Sequence, residues 1–147
     1  MNKGAIPSRL DWVEKRTRCS LRALFADLSS TVKSDIESAL RHQSSLRSAP
    51  LKLTADAFEH RLVVTAIWDL GNGAEEEAVV FRCVDNEDVI DVEYLTERNG
   101  KVPQRMFTAT RRLSEDGRCV LAVGGQALEL WQISRMALEE FLFGYIA

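Results

Sequence analysis

From Leu10 to Leu40 apolar residues recur mostly every three or four positions, with Thr17 filling one place in the pattern. A stripe of this spacing lies along one face of a helix. It predicts a helix that includes Leu10 to Leu40. The segment from Pro7 to Asp11 opens this helix, with Ser8 as its N-cap. At about 1.5 Å per residue this helix would be about 45 Å long, beyond the ~30 Å span of a small domain. We therefore expect either a break at residues 29–31, a Ser-Ser-Thr run, or a partner chain that covers part of the helix. The stripe comprises Leu10, Val13, Leu21, Leu24, Leu28, Val32, Ile36 and Leu40.

From residue 58 the pattern changes to alternating apolar and polar residues. Alternation with period two is typical of half-buried strands. The segments are separated by turn signals such as Asn99-Gly100 and Asp116-Gly117. Connections this short favour antiparallel neighbours, because parallel pairing needs a crossover of about a dozen residues. Six strand candidates follow, at 58–69, 77–85, 88–97, 104–114, 118–123 and 126–133.

These patterns predict one α+β domain, with an antiparallel meander of five or six strands. The long N-terminal helix and a short C-terminal helix are expected to pack on one face of the sheet. Residues 1–42 form the N-terminal helical segment, 43–55 a polar linker, 56–133 the sheet and 134–147 the C-terminal helix, which Ser134 caps. A chain of 147 residues can bury the core that such a domain needs.

A turn at Asn86-Glu87 sets a register for the hairpin around it. With these two residues as the turn, the apolar partners all fall on one face, as a half-buried hairpin requires. On the other face Arg82 lies opposite Asp91, which predicts an exposed cross-strand ion pair. The apolar partners are Cys83 with Ile90, Phe81 with Val92 and Val79 with Tyr94; a later turn at Gly124-Gly125 pairs Leu121 with Leu128 and Cys119 with Leu130.

Composition and charge narrow the classes of function. The net charge of −3 gives no electrostatic footprint for nucleic acid or anionic lipid. No apolar run approaches the ~20 residues of a membrane span, and the N-terminus lacks the apolar stretch of a signal peptide. The cysteines, Cys19, Cys83 and Cys119, are odd in number and have no C-x-x-C spacing, which argues against a disulfide framework and for a reducing compartment. We expect a cytoplasmic protein that binds neither nucleic acid nor membrane.

Five carboxylates crowd the segment from Cys83 to Leu95. A calcium loop needs a glycine at its sixth position, and counting from the first carboxylate that position is Ile90. No Cys/His spacing of a zinc site is present either, so we expect no metal and no cofactor. A solvated surface, or one that contacts a partner protein, is a simpler explanation of these carboxylates than a catalytic pair. The five are Asp85, Glu87, Asp88, Asp91 and Glu93.

Three further residues are candidates for a ligand site. His60 alternates with core residues near a strand end, and Tyr94 lies on the apolar face of the predicted hairpin. Arg111 and Arg112 point to opposite faces, so one of them lies on the helix-covered side and needs a counter-ion. His60, Tyr94 and Arg111 would therefore line a pocket for a small anionic ligand.

The leading function predicted from the sequence is a non-enzymatic cytoplasmic binding or adaptor protein. It would recognise another protein through its acidic sheet surface. The alternative is a small-molecule-binding or enzymatic domain, with its pocket between sheet and helices. The last helix is apolar nearly all round, which is typical of a helix buried on more than one side. We therefore expect a homodimer with apolar helix residues in its interface.

Overall fold

The computed structural model describes residues 9–97 and 100–144, with side chains from residue 11 onward. Two helices precede a seven-stranded antiparallel sheet with meander order β1 to β7, and a third helix follows it. The predicted α+β class with a meander sheet is confirmed. The helices are α1 (Arg9–Arg18), α2 (Leu21–Arg41) and α3 (Leu130–Phe143); the strands are β1 (Ala49–Ala57), β2 (Arg61–Asp69), β3 (Ala74–Val84), β4 (Val89–Thr96), β5 (Gln104–Leu113), β6 (Cys119–Val123) and β7 (Gln126–Leu128).

The N-terminal helical segment breaks at Cys19-Ser20. Ser20 has extended backbone and its hydroxyl accepts a hydrogen bond from the Ala23 N–H at 3.0 Å, so it is the N-cap of α2. The helix then runs without interruption through residues 29–31. The break expected there is wrong, because Ser29 is buried within α2 while the cap lies nine residues earlier in the chain. The N-cap predicted at Ser8 lies outside the described residues.

The first strand occupies most of the predicted linker. β1 pairs antiparallel with β2, with Leu53 opposite Ala66, so the sheet gains a seventh strand. The register shifts between Pro50 and Lys52. The run from Leu51 to Ala57 does alternate apolar and polar residues, but the serines and Pro50 before it favoured a linker. Proline near the start of an edge strand is permitted, because its missing N–H leaves no ladder bond unmade.

The predicted register of the β3–β4 hairpin is confirmed at every apolar pair, from Cys83 opposite Ile90 to Val79 opposite Tyr94. Its turn is a short 3-10 segment, Asp85–Glu87, followed by Asp88 in the left-handed conformation. The pairing of Leu121 with Leu128 is also confirmed.

The last helix begins earlier than expected. α3 starts at Leu130, and Glu129 and Gln132 cap it by a reciprocal pair of side-chain to backbone hydrogen bonds. The strand predicted to continue to residue 133 therefore ends at Leu128, and Cys119 has no strand partner at position 130. Ser134 lies inside α3, where its hydroxyl donates to Asp35 on α2 at 2.6 Å.

The core lies between one face of the sheet and helices α2 and α3. Trp68, Phe81, Leu28 and Ile133 are fully buried in it, and the Trp68 ring meets the Phe141 ring edge-on at 6.1 Å. Helix α1 contributes no buried side chain from residue 11 to residue 18. None of the helices in the described part of the chain is long and apolar enough to span a membrane.

A disulfide joins Cys19 to Cys119. It links the α1–α2 junction to β6 across 100 residues of sequence. The argument against disulfide bonding drawn from the cysteine pattern does not hold, since an odd count leaves room for one bond and a free thiol at Cys83. The cysteines therefore lend no support to a reducing compartment, and the cytoplasmic location stays a prediction.

Candidate functional site

The acidic turn between β3 and β4 is partly neutralised within the chain. Arg22 of α2 donates to the Asp85 carboxylate at 2.9 Å, and this hydrogen bond holds the pKa of Asp85 below its usual value. Asp88 forms an ion pair with Arg111 at 2.8 Å. Glu87 is exposed at the tip of the turn. The turn therefore presents a reduced negative charge.

The two carboxylates on β4 also have internal partners. Asp91 is only 8% exposed; it accepts a hydrogen bond from the Thr108 hydroxyl at 2.7 Å and lies 3.4 Å from the Arg105 guanidinium. Arg82 is its register partner but pairs instead with Glu93, at 3.1 Å. The exposed Arg82–Asp91 ion pair predicted from the sequence is wrong, because Asp91 is buried and Arg82 reaches the diagonal carboxylate.

The three predicted ligand residues do not come together. His60 is exposed in the β1–β2 turn, where its ring lies 3.5 Å from the Asp85 carboxylate. Arg111 is largely buried, and it donates to Asp88 and, at 3.1 Å, to the Cys19 carbonyl. Its counter-ion is thus supplied by the protein, and the hydrogen bond to Asp88 raises the pKa of the guanidinium. Tyr94 belongs to a different cluster, described next.

A buried carboxylate organises that second cluster. Glu77 is 4% exposed and accepts hydrogen bonds from the Trp68 indole N–H at 2.8 Å and from the Tyr94 hydroxyl. Arg47 forms an ion pair with it at 2.8 Å and lies over the Trp68 ring. Burial, followed by the hydrogen bond to Glu77, raises the pKa of Tyr94 well above its usual range. We call these residues the Glu77 cluster.

Sequence reasoning missed the Glu77 cluster, although a signal was present. Glu75 and Glu77 occupy the same alternating positions as Val79 and Phe81, so they point toward the core face of β3. A carboxylate at a core position needs a buried partner. The partner, Arg47, comes from the segment that was predicted to be a linker.

A cavity of about 290 Å³ opens beside the Glu77 cluster, between the sheet and the C-terminal end of α3. Its floor is apolar, and several polar groups converge on it. Small-molecule sites combine these two features. The lining includes Arg47, Tyr94, Gln104, Arg105, Glu140 and Phe141.

The face of the sheet opposite the core carries an apolar strip. Val63 pairs with Val80, and Ala78 pairs with Leu95, so these side chains lie side by side. No helix among the described residues covers them, because α2 and α3 pack on the other face. Ion pairs flank the strip, including Arg82–Glu93 and Lys101–Glu76. We call the strip, with Thr65 and Ile67, the outer sheet face.

Comparisons with known proteins add no constraint. No family model, curated protein or solved structure matches this chain. Within residues 9–97 and 100–144, no three His, Cys, Asp or Glu side chains gather as a metal site would require.

Proposed function

We propose that this chain is a non-enzymatic binding protein that recognises another protein through the outer sheet face and the neighbouring acidic turn. The observation that carries the proposal is the apolar strip of Val63, Ile67, Ala78 and Leu95, which is half-buried on the face opposite the core and which no described helix covers. Sheets of this kind normally alternate apolar residues inward with polar residues outward. Valine, isoleucine and leucine at outward positions therefore require another explanation.

The pattern of charges around the strip supports contact with a protein. Protein interfaces have an apolar centre that is depleted of charge and a polar rim. Here Glu93 and Glu76 lie directly opposite Val80 and Ile67 in the sheet register, and each is already paired with a cation, in Arg82–Glu93 and Lys101–Glu76. Because the carboxylates on β4 have internal partners, affinity would come from shape and apolar contact, with the exposed Glu87 of the turn guiding orientation.

The test replaces Ile67 with a photo-reactive amino acid, and places the same amino acid at the exposed Ser44 as a control. We expect one dominant cross-linked protein at position 67 and none at position 44. With that protein purified, Ile67→Arg should weaken its affinity by at least about tenfold, as loss of a central contact does. Ser44→Arg should leave the affinity unchanged. Equal cross-linking at both positions, or unchanged affinity of Ile67→Arg, would refute the proposal.

A second candidate function rests on the cavity beside the Glu77 cluster. Arg47 and Gln104 line this cavity with Tyr94, and a guanidinium beside an amide suits a small carboxylate. Thermal-shift measurements with a set of small carboxylic acids would test it. A ligand that stabilises the native chain but not Gln104→Ala would support this function. The absence of any stabilising ligand would remove it and leave the protein-binding proposal untouched.

A further inference from the structure

Helix α3 presents an exposed row of four residues spaced four apart: Trp131, Arg135, Glu139 and Phe143. Trp131 is 56% exposed and Phe143 is 46% exposed. Arg135 and Glu139, between them, form an ion pair at 2.8 Å. Rows of residues four apart form the ridges of the commonest class of helix–helix packing in globular proteins. We call this row the α3 ridge.

We propose that the α3 ridge pairs with the same ridge of a second copy of this chain, antiparallel about a two-fold axis. Ala137 lies midway between Trp131 and Phe143, and also midway between Arg135 and Glu139. Ala137 itself faces the core. A two-fold axis that crosses the ridge at its height along α3 places Trp131 of each copy opposite Phe143 of the other, and each guanidinium opposite a carboxylate. Such self-complementarity is the requirement for an isologous dimer.

The charges on the ridge support this pairing. Within one helix, an arginine that precedes a glutamate by four residues is in the less favourable order, so the Arg135–Glu139 pair contributes little to a single subunit. Across the two-fold axis, each carboxylate would lie between two guanidinium groups. The electrostatic interactions of these charges therefore favour the paired ridges of a dimer over the solvated ridge of a monomer.

A groove beside the ridge supplies the space for the aromatic rings. It lies between α2 and α3, has a volume of about 510 Å³ and has an apolar floor of Ala39, Leu138 and Leu142. Trp131 and Phe143 both line this groove. Each copy thus offers two exposed rings and the groove that receives them, and aromatic residues are enriched at protein interfaces.

The pairing defines which apolar residues take part in the dimer expected from the sequence. Phe141 is 4% exposed and packs against Trp68, so it belongs to the core and is excluded from the interface. Phe143 remains at the surface. The dimer uses the helix side of the molecule, so it does not depend on the function proposed for the outer sheet face.

Charge reversal on the ridge tests the pairing. Light scattering across a dilution series should give a mass near twice 16.5 kDa for the native chain at high concentration. Arg135→Glu and Glu139→Arg each place like charges across the axis, so each variant should dissociate at a concentration at least about tenfold higher than the native chain.

The most direct part of this experiment mixes the two variants, Arg135→Glu and Glu139→Arg. One copy then carries only carboxylates and the other only guanidinium groups at these positions, so the mixture should form a heterodimer at a concentration where each variant alone is mostly monomeric. The double variant, Arg135→Glu with Glu139→Arg, should dimerise like the native chain. Recovery on mixing also shows that each variant is folded. A native mass of 16.5 kDa at every concentration, single variants that stay dimeric, or a mixture that stays monomeric would overturn the proposal.

Discussion

Asp91 and Glu77 are ionisable residues that the fold buries on opposite faces of the sheet. Each is held by at least one neutral donor and one arginine: Asp91 by Thr108 and Arg105, and Glu77 by Tyr94, Trp68 and Arg47. Buried charges persist only with such partners. At the residue scale, stability therefore depends on a few carboxylates rather than on the whole acidic segment.

Asp91 and Glu93 offer a matched pair of substitutions. Asp91→Ala should destabilise the protein by about 2 kcal/mol, because the Thr108 hydroxyl loses a buried acceptor. Glu93→Ala should cost less than about 1 kcal/mol, because its partner Arg82 is open to water. Urea unfolding of both variants measures the difference, and equal losses would contradict this account of β4.

Arg47 is the residue on which the Glu77 cluster depends most. Arg47→Ala should cost about 3 kcal/mol, since it leaves the buried Glu77 carboxylate without a counter-ion. Lys52→Ala, at an exposed position of β1, should stay within about 0.5 kcal/mol of the native chain. A similar free energy of unfolding for the two variants would show that Glu77 does not rely on Arg47.

Cys83 gives the protein a dependence on alkaline pH. Burial, followed by the nearby Asp85 carboxylate, raises the pKa of its thiol from 9.0 to about 11. The native state therefore keeps this proton where the unfolded state has lost it, so stability should fall as pH rises from 9 toward 11. Cys83→Ala should reduce this slope in denaturant titrations at successive pH values. An unchanged slope would assign the loss to other groups.

At the scale of elements, the sequence predicted the features that follow from hydrophobic periodicity. It missed the features that depend on residues distant in the sequence. The β3–β4 register followed from alternation together with the turn at Asn86-Glu87. The helix break was missed because the single cap at Ser20 leaves a weak pattern, and the first strand was missed because the serines and Pro50 before it favoured a linker. His60 and Arg111 were predicted to share a pocket with Tyr94, but Tyr94 lies at the far end of β4 from Asp88, the partner of Arg111. Alternation carries no information on that separation.

The Cys19–Cys119 disulfide links the α1–α2 junction to the sheet. Its reduction therefore tests how much this link stabilises the native state. A cross-link over a loop this long should stabilise the native state by about 4 kcal/mol, chiefly by restricting the unfolded chain. Unfolding with a dithiol reductant should therefore show that loss. The variant Cys19→Ser with Cys119→Ser should be insensitive to the reductant. Three free thiols in the native protein without reductant would contradict the bond.

At the scale of the whole molecule, the two sides of the sheet have different roles. The helix side buries the core and ends in the α3 ridge, for which we propose a second copy of the chain. The opposite side leaves the outer sheet face uncovered, for which we propose another protein. The central claim is that these two surfaces act independently.

Sedimentation velocity on mixtures with the cross-linked partner tests that claim most directly. We predict that Ile67→Arg stays dimeric and loses the partner, while Arg135→Glu becomes monomeric and still binds it. The sedimenting complex should therefore contain two copies of the native chain but one copy of Arg135→Glu. If either substitution abolished both associations in a folded protein, the two surfaces would be one, and the account would be contradicted.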